Sequence, residues 1–97
     1  MTLDELNAAR ARLVDRLINE VAALEGLDLS EGLSPELRRA VADHAELLYE
    51  DYTFRRHKRL QVKTDGAVNL LLAQLFDVDS VIDELVHGGR TPDDPLQ

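Results

Sequence analysis

A helical pattern runs without a break from Pro35 to at least Val62, in a chain of only 97 residues. Ser34-Pro35-Glu36 opens it with an N-cap hydroxyl, a proline where no backbone donor is needed, and an acid at the positive end of the helix. Leu37, Val41, Leu48 and Tyr52 then recur on one stripe. At 1.5 Å per residue such a helix extends about 40 Å. A domain this short buries a small core, and a helix of that length overhangs it. Overhanging apolar helices pack on a partner chain. The pattern predicts an all-α bundle completed by oligomerisation, most simply a symmetric dimer whose long helices pack antiparallel.

The other segments fit the same class. Thr2 and Glu5 have capping-box spacing. Leu6, Leu13, Leu17, Val21 and Leu24 follow at helical intervals, widened by Val14 and Ile18, which predicts a first helix over residues 3–25. Gly26 is placed to end it. In the connector, Leu27, Leu29 and Leu33 alternate with polar residues, so this loop is expected to lie on the core. Thr64-Asp65-Gly66 is expected to break the long helix and start a third, "GAVNLLLAQLF", the most buried element. "DVDS" then reads as a cap for a short fourth helix, "SVIDELVH", ending at Gly88-Gly89. No segment alternates as a strand does. The expectation is one helical domain over 1–89, of three to four helices, with 90–97 a flexible tail.

Charge sorts the possible partners. The net charge is −8, which disfavours general binding to nucleic acid or to anionic membrane. The longest apolar runs are four residues, as in "LLLA", far short of a membrane span. There is no cysteine, so disulfides, thiolate metal sites and cysteine nucleophiles are excluded. "MTLDELNAAR" carries no apolar signal core. A cytoplasmic protein is expected, and the Arg/Ala/Leu-rich, Lys-poor composition has a bacterial cast. The balance is −4 over residues 1–33, +2 over 34–63 and −6 over 64–97. A basic middle between acidic ends can pair within its own chain or with a second copy.

Within that middle, Arg55, Arg56, Lys58, Arg59 and Lys63 crowd into nine residues. Arg55, Arg56, Lys58 and Arg59 form the candidate partner or anion surface, with Tyr49, Tyr52 and Phe54 as anchors, since aromatics and arginine dominate interface energetics. Extending the apolar stripe of the second helix places His44, Asp51 and Arg55 along it, a buried polar layer that would fix helix register. Asp51 and Arg55 also have the i, i+4 spacing of a stabilising pair.

An alternative reading is metal-dependent. Glu46, Glu50, His57 and Asp65 are carboxylates and an imidazole of the kinds helical bundles use for magnesium or iron. Glu84-Leu85-Val86-His87 is a single Glu-x-x-His. "AELLYED" followed by "DGAVNLLLAQLFDVDSVIDEL" resembles the all-α nucleotide pyrophosphohydrolases of the MazG and phosphoribosyl-ATP pyrophosphohydrolase type, over about 40 residues. The resemblance implies magnesium held by Glu46 and Glu50 on one helix and by Asp65 and Asn69 on another, and it departs from the family at Asn69, where the family has an acid. Arg39-x4-His44 resembles the ribonuclease signature of HEPN-type domains. The residues after His44 do not continue that match.

The favoured expectation is an accessory or regulatory protein without catalysis or cofactor. It would act by homo-oligomerisation and by recognising another protein, with no role for nucleic acid or membrane.

Overall fold

The computed structural model describes residues 2–87 as three α-helices: α1, Leu3–Leu24; α2, Pro35–His57; and α3, Ala67–Val86. The class is all-α, and no strand occurs among the described residues. The proposed tail, residues 90–97, and Gly88-Gly89 lie outside them.

The helix ends follow from local chemistry. The Thr2 hydroxyl accepts from the Glu5 amide at 3.1 Å, and the Glu5 carboxylate accepts from the Thr2 amide at 2.8 Å. Those bonds are the reciprocal capping box. At the other end of α1, Gly26 takes φ 79°, a left-handed conformation that costs glycine little. Its amide donates to the Ala23 carbonyl and the Leu27 amide to that of Ala22, both at 3.0 Å. This two-bond motif satisfies carbonyls that a helix end otherwise leaves open.

The same motif ends α2 at His57 rather than beyond Val62. The Leu60 amide reaches back to the Arg55 carbonyl at 2.8 Å and the Arg59 amide to that of Arg56 at 3.2 Å. Here the left-handed residue is Arg59, with φ 59°. A stretch free of glycine and proline reads as continuous helix, and an arginine cap gives no sequence warning. The helix is 23 residues long, about 34 Å.

Residues 58–66 form a connector, and the break before Gly66 is as expected. Gly66 sits at φ 87°, ψ 153° as the N-cap of α3, a region essentially reserved for glycine. The expected fourth helix does not form as a separate element among the described residues: α3 continues through Asp77–Ser80 to Val86. Ser80 does not cap. Its hydroxyl donates back to the Phe76 carbonyl at 2.9 Å, the bond serine makes inside a helix. Val78 and Ile82 keep the apolar stripe turning at helical period across "DVDS".

The core joins Leu17, Ile18, Val21 and Ala22 of α1, Val41, Ala45 and Tyr52 of α2, and Leu71, Leu72 and Leu75 of α3. Leu27, Leu29 and Leu33 pack against it, so the first connector does lie on the core. α1 and α3 run along each other, and α2 touches them less extensively. The most buried helix is α1, with five buried residues, rather than α3 with three. α3 leaves Leu70, Val81 and Leu85 half exposed.

Candidate functional site on the second helix

α2 is apolar on two faces. Val41, Ala45 and Tyr52 point to the core. A second line, Leu37, Ala40, Leu47 and Phe54, is exposed. Leu47 is 64% exposed and Phe54 54%. Large apolar side chains this open, three times along one helix, mark an interaction surface more readily than scattered singles do.

The polar residues of α2 stay off its core face. His44 and Asp51 are exposed on the outer line, and Arg55 is exposed beside them. They do not form a buried layer. No polar or charged residue is buried among the described residues. The reason is geometric: His44 and Asp51 each precede a core residue, Ala45 and Tyr52, by one position, which is about 100° round the helix. Arg55 does donate to Asp51 at 3.0 Å, the i, i+4 pair expected.

The basic end is used unevenly. Arg56 lies over the Phe76 ring at 4.6 Å and donates to the Tyr52 hydroxyl at 3.2 Å. The guanidinium therefore covers the end of the core, a cation–π contact. Tyr52 is only 4% exposed and packs edge-on against Phe76, so it serves the core and offers no anchor to a partner. Phe54 remains available. Lys58, Arg59 and Lys63 have no carboxylate partner among the described residues, whose ion pairs are Arg10–Asp79, Arg38–Asp15 and Arg55–Asp51, with a further His87–Asp83 contact. The acidic ends of the chain do not neutralise these three cations there. An open cleft of about 510 Å³, lined by Asp51, Tyr52, Arg55, Gln61, Lys63 and Asn69, lies beside them.

The metal candidates are dispersed. Glu46 and Glu50 border a groove between α1 and α2 with Arg10 and Tyr49. The His57 ring packs on Phe76, 6.0 Å between centroids. Asp65 is exposed in the connector, where its carbonyl accepts from the Asn69 amide at 2.8 Å. No three histidine, aspartate or glutamate side chains converge as metal ligands among the described residues.

One polar junction escaped the sequence reading. Asp79 of α3 accepts from Arg10 of α1 at 2.5 Å and from the Tyr49 hydroxyl of α2 at 2.6 Å. A single carboxylate thus joins all three helices. Arg10 and Asp79 are 69 residues apart, so no local spacing announces the pair. Burial, and next the hydrogen bond to Asp79, push the Tyr49 phenol well above its ordinary value. The fold holds the neutral phenol, so this stabilisation is complete below about pH 10 and is lost as pH rises further, because the unfolded chain ionises first. The denaturation midpoint should fall more steeply between about pH 9.5 and 11.5 in the wild type than in Tyr49→Phe. Equal slopes would show that Tyr49 is not held as described.

No helix among the described residues is long and apolar enough to cross a membrane. No protein-family model, curated protein or solved structure matches the chain.

Proposed function

We propose that this chain is a small accessory or regulatory protein of the bacterial cytoplasm that acts by association, first with itself and then with another protein. The observation that carries the reading is the outer line of α2, where Leu37, Leu47 and Phe54 stand exposed on a helix whose other apolar line already fills the core. Burying such side chains is worth about 1.5–3 kcal/mol each. Lys58, Arg59 and Lys63 add a basic surface without carboxylates of its own among the described residues, suited to acidic protein surface. Apolar area supplies the affinity, and the charges steer and orient the encounter.

Native mass spectrometry on protein purified without chelator tests this. The expected spectrum shows a dimer or a higher closed assembly with no added mass. A monomer at tens of micromolar would overturn the reading. A stoichiometric metal would move the weight to Glu46, Glu50, His57 and Asp65.

A further inference from the structure

We propose that the outer face of α2 pairs with the same face of a second copy, antiparallel, about a two-fold axis at Leu47. The inference rests on the association reading and adds surface, direction and register. Leu37, Ala40, His44, Leu47, Asp51 and Phe54 alternate steps of three and four residues, the spacing of a coiled-coil seam. The seam is separate from the line of Val41, Ala45 and Tyr52 that meets the core, so pairing leaves the bundle intact.

Leu47 lies one residue from the middle of α2. A two-fold axis there overlaps the two helices along their whole length. It sets each Phe54 against Ala40 of the other copy, the largest side chain of the seam on its smallest. It also brings each His44 within a turn of the other copy's Asp51, so the two polar residues of the seam answer one another.

Charge decides the direction. The stretch Arg55–Lys63 holds five bases and no acid. The stretch Glu25–Glu36 holds four acids and no base. Antiparallel pairing lays Lys58 beside Glu36 and Lys63 beside Glu31 of the other copy, while Arg55 and Arg56 fall beside Arg39 and the Asp15-paired Arg38. Parallel pairing lays bases on bases and acids on acids. Lys58, Arg59 and Lys63, and likewise Glu25, Glu31 and Glu36, form no ion pair within the described residues of their own chain. Both sets of charges are free to meet across the axis.

The chain has no cysteine, so one introduced thiol is an unambiguous reporter. Leu47→Cys and Leu37→Cys both sit at exposed positions and leave the core untouched. Each variant is oxidised and sized by mass, beside the solution mass of the wild type. The expected result is a dimeric wild type, near-complete disulfide-linked dimer for Leu47→Cys, and none for Leu37→Cys, whose two copies lie about 30 Å apart across the axis. Leu47→Glu, which sets two like charges on the axis, should convert the dimer to monomer. A dimer in which Leu47→Cys fails to link, or Leu37→Cys links to itself, overturns this pairing and leaves the association reading standing. A monomeric wild type overturns both.

Discussion

Leu75→Ala should lower the unfolding free energy by about 2–5 kcal/mol, the largest loss expected from a single core truncation here. Leu75 is 2% exposed in α3 and lines the groove between α1 and α2 together with Leu17, Ile18 and Ala45. Truncation removes packing against α1 and α2 at once. The lost side chain forfeits its transfer energy, and the hole costs more unless the helices close on it. Small domains hold about 5–15 kcal/mol in total, and one of this length sits toward the low end. Leu75→Ala should therefore leave a visibly unfolded fraction near 37 °C. Urea titration at one fixed chain concentration reads the effect, since association adds concentration-dependent stability. A loss under about 1 kcal/mol would mean that Leu75 does not tie α3 to α1 and α2 as described.

The same truncation on the outer line should behave differently. Leu47 touches water in the isolated chain, so its loss bears on association and leaves the core packing alone. This contrast shows what was legible in the sequence. Helical period, caps and breakers act over four or five residues, and they specified the class, the capping box at Thr2, the Ser34 start and the break before Gly66. Two helix ends differ from the expectation because the decisive chemistry departs from the usual residues. Arg59 adopts the left-handed cap normally given to glycine. Ser80 bonds to its own helix instead of opening a new one.

Which way α2 faces was harder to read. Leu37, Val41 and Leu48 form one stripe in the sequence, and its extension by sevens predicts His44 and Asp51 inward. The real inward line runs through Ala45 and Tyr52, and it rotates both polar residues outward. A helix with two apolar lines has a weak directional signal, and only its neighbours decide between them. The line Ala40, Leu47, Phe54 was present as an i+7 repeat. Reading it as a second face required knowing that the first was already occupied.

Asp79→Ala should cost about 1–2 kcal/mol, the second large effect. The carboxylate accepts from a guanidinium and a phenol on two other helices. Bonds to a charged group are worth about 1.5–3 kcal/mol when shielded. The Arg10 and Asp79 side chains remain 41% and 30% exposed, so water screens the pair and the lower part of that range applies. Removing the acceptor also leaves the half-buried Tyr49 hydroxyl unpaired. Asp79→Asn, which keeps an acceptor for Tyr49 and loses the charge, should fall between wild type and alanine. A double-mutant cycle with Tyr49→Phe isolates the α2–α3 arm, and a coupling above about 0.5 kcal/mol is expected for groups in direct contact. Such coupling would make Asp79 the group that holds α2 in register on the α1–α3 pair, and so the group that presents Leu47 and Phe54 outward. Zero coupling would assign that orientation to Val41, Ala45 and Tyr52 alone. The outward face would then depend on apolar packing, and Asp79→Ala would leave association as strong as in the wild type.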